Sequence, residues 1–195
     1  MDFEALNKKI LPPDAQAEKA AWAHWDGIAK PLRGLGRLEE AVVRIAALTG
    51  SEEVELGKRA VLVLCADNGV VAEGVTQTDA SVTATMAGEI AKHRSSVCRM
   101  AARAGADVFA IDIGMNRRVE GVRDCHTADG TQNMTKGPAM TRAQAEQAIQ
   151  TGMELAHECR DAGYRLLATG EMGIGNTTTS SAVTAVLLGL PIEEV

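Results

Sequence analysis

Three short apolar runs do most to limit how this 195-residue chain can fold. RAVLVLCAD (59–67), DVFAIDIG (107–114) and RLLATGE (165–171) are each nearly unbroken in aliphatic residues and stop at a polar turn. A strand with one wet face alternates apolar and polar side chains. A continuous run this short reads instead as a strand buried on both faces. Segments with helical spacing separate the runs, at 79–92, 95–104 and 141–162, and a further one follows at 177–188. The 141–162 segment opens on Thr141-Arg-Ala-Gln144, the spacing of a capping box. Strands alternating with helices predict a three-layer α/β fold with a mainly parallel, Rossmann-like sheet. Arg59–Cys65, Val108–Ile113 and Arg165–Thr169 are its expected adjacent strands.

The first 50 residues are helical in pattern and precede the first strand, so they are expected to form a small lobe (1–50) beside an α/β domain (51–195). Residues 14–29 begin after Pro12-Pro13, a favourable helix start, and Trp22 and Trp25 share one helix face. A packing or subunit contact accounts for that pair better than ligand stacking. In 36–48, Leu38, Val42, Ile45 and Leu48 recur at helical spacing before Gly50 stops the helix. Residues 115–140 lack periodicity and read as a long loop with room for one short strand. Loops of that length in compact domains tend to be functional.

Several function classes are excluded by composition. The formal charge of −6 and the absence of a Lys/Arg stripe argue against a nucleic-acid or anionic-membrane surface. No apolar run nears the roughly 18 residues that span a bilayer. The N-terminal MDFEALNKKILPPD lacks the apolar core of a signal peptide, which predicts a cytoplasmic chain. Cys65, Cys98, Cys125 and Cys159 are widely spaced, and neither they nor the four histidines show metal-ligand spacing. Reduced, buried thiols are the expectation, with no metal and no cofactor.

The sharpest local signal is ATGEMGIGNTTTSSAV (168–183). Open α/β sheets bind ligands beyond the carboxyl ends of their strands, and three polar clusters fall there: Asp67-Asn68-Gly69, Asp112-Ile113-Gly114 and Gly170-Glu171. Gly173 and Gly175 allow close backbone approach. Asn176, Thr177 and Thr178 then lead a helix whose N-terminus favours an anion. A glycine turn with a Thr cap would account for Gly175-Asn176-Thr177 alone, but not for Glu171 at the strand end. Neither a Walker lysine nor the third glycine of a dinucleotide fingerprint is present. A carboxylate beside an anion-binding loop suits proton removal, or stabilisation of positive charge, next to a phosphorylated or carboxylated small molecule.

GEMGIGNTTTSSAV resembles the signature of the nicotinate-nucleotide–dimethylbenzimidazole phosphoribosyltransferase family. KPLRGLGRLE (30–39), VLCADNGVVAEGV (63–75) and GPAMTRAQA (137–145) are similar in the same order, so the likeness covers essentially the whole chain. Two departures stand out. The family's first block usually reads K-P-x-G-S-L-G-R-L-E, and Arg33-Gly34 replace Gly-Ser; its second usually reads A-D-H-G-V, and Asn68 replaces the His. Family chains are also nearly twice as long.

The resemblance implies transfer of 5-phosphoribosyl from nicotinate mononucleotide to dimethylbenzimidazole or a related azole, in a homodimer, with only small-molecule partners otherwise. It makes Glu171 an assisting acidic residue that orients or deprotonates the azole. The principal base would belong to the part of the family's length beyond residue 195. Gly173, Gly175, Asn176, Thr177 and Thr178 would hold the nucleotide. Thr78, Thr83 and Met86, in TQTDASVTATM (76–86), would line the base pocket, with Met86 equally suited to the core. Asp67 is a candidate substrate contact, though an Asx-turn explains it better. Two other readings remain at this level: a kinase or ribosyl hydrolase on the same fold, and a truncated, non-catalytic paralogue that binds nucleotide or a full-length partner. The missing Walker lysine counts against the kinase.

Overall fold

The first apolar run becomes the centre of the sheet. In the computed structural model, which describes residues 1–195, β1 (Lys58–Ala66) lies between β2 (Ala106–Gly114) and β4 (Tyr164–Met172), parallel to both. Val61 pairs with Val108 on one side and Ala168 on the other. A two-residue strand, β3 (Arg123–Asp124), extends β2's far side, giving the order β3-β2-β1-β4. The three expected strands are therefore adjacent and parallel. The short strand falls inside the long 115–140 loop.

Alternate residues of β1 and β2 serve two cores. Val63, Cys65, Val108 and Ala110 pack with Ile90, Cys98 and Ala101 from α4 (Ser81–Ala91) and α5 (Ser96–Arg103). Ala60, Leu62 and Ile111 pack with Leu155 and Cys159 of α6 (Arg142–Asp161). Each large aliphatic side chain so buried contributes roughly 1.5–3 kcal/mol, enough to fix the register of a strand with no wet face. Ser95 caps α5 at the Cys98 N–H, and Thr141 and Gln144 form the complete capping box of α6. β4 departs from expectation. Being at the sheet edge, it leaves Arg165, Leu166, Ala168, Thr169 and Glu171 exposed, and α7 (Asn176–Leu188), which follows it, buries no residue. No helix is long and apolar enough to cross a membrane.

The chain divides into two compact units, Met1–Leu56 and Gly57–Val195. The first holds α1 (Phe3–Asn7), α2 (Ala15–Gly27) and α3 (Arg37–Thr49). Ala21, Val43 and Ala46 form its core, with Trp22 and Trp25 packed against them. Glu39 is fully buried; its Oε1 takes Lys30 Nζ at 2.9 Å and the Leu35 N–H at 3.0 Å. Gly50, at φ 70°, ends α3 as expected.

Candidate active site at the strand ends

Two buried carboxylates order the carboxyl ends of β1 and β2: Asp67 joins the two strand ends, and Asp112 holds the turn after β2. Asp67 donates its N–H to Gly114 O (3.0 Å), accepts at its own carbonyl from Thr131 N (3.0 Å), and accepts at Oδ2 from Asn116 N (2.7 Å). Its Oδ1 is buried without a partner. The expected Asx-turn is thus replaced by a longer-range brace, because the carboxylate reaches across to the loop after β2 instead of to its own turn. The Gly69 N–H, which an Asx-turn would have engaged, goes to Thr131 Oγ1 (3.0 Å). Asp112 accepts at Oδ1 from the N–H groups of Gly114 (2.9 Å) and Met115 (2.7 Å), and at Oδ2 from Arg118 Nη1 (2.7 Å). His126 Nδ1 lies 3.3 Å from the same Oδ1. Burial pushes the Asp112 pKa up, but the Met115 N–H, Arg118 and His126 outweigh it and hold the carboxyl below the usual range. With both oxygens occupied, Asp112 is an anchor for the 112–118 turn.

The glycine loop runs from the end of β4 to the start of α7. Asn176 donates its side-chain amide to Glu171 Oε2. Gly173 has no space for a side chain: a Cβ there would meet Ala66 O, Asn68 Nδ2 (2.8 Å) and Glu171 Oε1 (2.8 Å). The Glu171 carboxylate therefore lies beside the turn that ends β1. Gly175 adopts φ 85°, in the left-handed region that favours glycine, and is the N-cap of α7. No side chain caps this helix, so its first turn presents backbone donors and the positive end of the dipole. Partial desolvation pushes the Glu171 pKa up, against the opposing Asn176 bond. A carboxylate poised in this way can accept a proton or face a developing cation.

Of the residues singled out from the sequence, Glu171, Gly173, Gly175 and Asn176 come together in this loop. Thr177 is exposed and Thr178 half-buried in the first turn of α7. Thr83 reaches the same loop from α4, but differently from expectation. It is fully buried, and its hydroxyl accepts the Ile174 N–H at 3.1 Å, so it supports the loop from behind and cannot line an open pocket. Thr78 is exposed in the turn before α4, where its carbonyl accepts from Thr76 Oγ1, and Met86 is half-buried on α4. Neither is tied to the glycine loop by a hydrogen bond. Asn68 and Thr179, neither of them among the expected site residues, contact the loop directly: Asn68 Nδ2 donates to Ile174 O (3.1 Å), and Thr179 Oγ1 donates to Asn68 Oδ1 (2.9 Å). The sequence marks Asn68 twice, by its place in the Asp-Asn-Gly turn and as the replacement of the His in the family pattern.

Known proteins decide which family uses this arrangement. A phosphoribosyltransferase family profile matches residues 10–195. The nicotinate-nucleotide–dimethylbenzimidazole phosphoribosyltransferase of Clostridium tetani is 40% identical over 187 residues, covering 95% of this chain and 52% of that one. The enzyme of the same name from Chlorobaculum tepidum is 41% identical over 196 residues, covering 99% and 56%. This chain belongs to the nicotinate-nucleotide–dimethylbenzimidazole phosphoribosyltransferase family. A crystal structure of the Thermus thermophilus member superposes with a TM-score of 0.87 at 41% identity, over 91% of this chain and 55% of that chain. The chain thus spans about half the length of the relatives it matches.

Within the family, one sequence departure has a direct structural reading. Arg33 stands where the family pattern has Gly, and its φ is 56°, a left-handed conformation that costs an ordinary residue roughly 1–2 kcal/mol. Two contacts offset that cost: the guanidinium lies 3.4 Å from the Trp22 ring centroid and 3.0 Å from Asp26 Oδ2. Gly34 follows, and a Cβ there would lie 2.9 Å from Pro31 O.

Proposed function

We propose that this chain contributes the glycine-loop half of a site that transfers 5-phosphoribosyl from nicotinate mononucleotide to dimethylbenzimidazole or a related azole. The products are α-ribazole phosphate and nicotinate. The observation that carries this reading is Glu171 held by Asn176 at the mouth of an uncapped helix N-terminus. Chemically, the C1′–N bond of nicotinate mononucleotide breaks with its electron pair going to the pyridinium nitrogen, so the leaving group needs no acid. An azole nitrogen forms the new bond to C1′, and the azole gives up its N–H proton to a base. The ribosyl centre is oxocarbenium-like in between, and an adjacent carboxylate stabilises it.

On this reading Glu171 assists by accepting or orienting the azole proton, and its raised pKa makes it a better proton acceptor than an ordinary carboxylate. Backbone and hydroxyl donors of Gly173, Gly175, Asn176, Thr177 and Thr178 hold the nucleotide's anionic groups. Asp67 is retained as a candidate substrate contact at the end of β1. Thr78 and Met86 are retained as base-pocket candidates, and we place the reaction in a cytoplasmic homodimer. The test is isothermal titration of the chain with nicotinate mononucleotide, followed by incubation with dimethylbenzimidazole and quantification of the ribotide. Saturable binding that is lost in Gly173→Ala, and ribotide formation that falls in Glu171→Gln, support the reading. No binding and no ribotide would sink it.

A further inference from the structure

The Ile174 backbone, between the two loop glycines, is held by side chains at both its N–H and its C=O. Thr83 Oγ1 accepts its N–H at 3.1 Å, and Asn68 Nδ2 donates to its carbonyl at 3.1 Å. Asn68 does more than this. Its Oδ1 accepts the Thr179 hydroxyl at 2.9 Å, so one amide joins the end of β1 to the loop and to the first turn of α7, both more than 100 residues away in sequence. From its position Asn68 also touches the carboxylate's surroundings: its Nδ2 and Glu171 Oε1 each lie 2.8 Å from the point where a Gly173 Cβ would stand. The two atoms are therefore no more than twice that distance apart.

We propose that Asn68 is a positioning residue for the transfer reaction: it locks the glycine loop and the start of α7 onto β1, and so sets where Glu171 and Asn176 meet the nucleotide. This rests on the function proposed above. The side chain must donate and accept at once, and an uncharged amide does both at any pH. An aspartate cannot donate to Ile174 O, and it would add a second negative charge beside Glu171. A neutral imidazole can make both bonds in one tautomer, which matches the His of the family pattern at this position. Thr83 and Thr179 complete the clamp from either side.

Hydrogen exchange on the whole chain, with titration of nicotinate mononucleotide, tests the assignment through N68D, N68H, T179V and T179S. N68D should speed exchange of the 173–179 amides and weaken nicotinate mononucleotide binding by about tenfold or more, the effect of losing one or two partly buried hydrogen bonds. Exchange in β1 and β2 should stay as in the wild type. T179V should give a smaller loss in both readouts, T179S should restore them, and N68H should restore both at pH 8, where its imidazole is neutral. An unchanged exchange pattern in N68D overturns the clamp. Faster exchange with unaltered affinity overturns the positioning role. If the wild-type chain binds no nicotinate mononucleotide, the proposed function falls and the reaction role of Asn68 with it; the exchange measurement separates that failure from failure of the clamp.

Discussion

Asn176 donates its side-chain amide to the Glu171 carboxylate, joining the last turn of β4 to the first residue of α7 across the two loop glycines. Desolvation pushes the Glu171 pKa up despite that bond. The folded chain therefore holds this proton more tightly than the unfolded chain does. A raised pKa contributes stability that is complete below the unfolded value and is lost as pH rises through the folded one. Ionised Glu171 is thus a local cost at neutral pH. Glu171→Gln keeps an acceptor for Asn176 and removes the charge. Its thermal midpoint should exceed that of the wild type at pH 7.5, and the difference should vanish as pH falls to 4. Where ribotide formation is measured, turnover should drop by about 10²-fold or more while KM changes little. Equal turnover removes Glu171 from the chemistry.

Gly173→Ala probes the closeness of the strand ends. The new methyl would meet the Ala66 carbonyl, a strand backbone atom that cannot rotate away, and would crowd Asn68 Nδ2 and Glu171 Oε1. Overpacking of this kind typically costs about 1–3 kcal/mol. The loop must shift, which separates Glu171 from Asn176. We expect a lower thermal midpoint and loss of nicotinate mononucleotide binding. Gly137→Ala, at a glycine with open space around its Cβ position, should leave both close to wild type. Equal behaviour of the two variants would show that the loop is not packed as described.

Much of this was legible in the chain because strands and helices announce themselves through periodicity. The runs at 59–67 and 107–114 had to be buried on both faces, and the Thr141–Gln144 capping box located the start of α6 to the residue. The run at 165–171 looked the same, yet it forms the exposed edge; local composition does not report how many neighbours a strand will find. Glycine spacing pointed to the loop at 173–175, since Gly173 and Gly175 answer local backbone demands. The hydrogen bonds of Thr83 and Asn68 to the loop are not legible in the sequence, for a common reason. Their roles depend on partners 91 and 106 residues away, and no local spacing encodes such a contact.

Asp112 contributes to the acid limit of the α/β unit. Its carboxylate, 2% exposed, takes two backbone N–H groups and Arg118, and its pKa is lowered. A lowered carboxyl pKa contributes stability present above the unfolded value and lost as pH falls through the folded one. Asp112→Asn removes the charge that Arg118 and His126 face, at a cost of about 1–3 kcal/mol for weakening a buried, charge-assisted network. The penalty should be full at pH 7 and shrink below the ordinary carboxylate range, where the wild type loses the same charge. Chemical denaturation at pH 7 and pH 3 measures it. A penalty of equal size at both values would rule out the ion network as its cause.

The outer edge of β4 and the face of α7 set the solution behaviour of the chain. Val183, Val186 and Leu187 follow the i, i+3, i+4 spacing of a single helix face and are 53%, 82% and 79% exposed. The helix carries no charged residue, and Leu166 of β4 is 43% exposed at an edge with no further strand. Unpaired edge backbone together with a contiguous apolar stripe favours association. The chain should therefore self-associate at micromolar concentrations, and sedimentation velocity should show its average mass rising with concentration. Leu187→Lys places a charge in the middle of the stripe and should shift the distribution towards monomer. Because Leu187 lies near the C-terminal end of α7, far from the Asn176 turn, nicotinate mononucleotide affinity should not change. A wild-type chain that sediments as a monomer throughout, or a Leu187→Lys variant with an unchanged distribution, would show that association does not use this face.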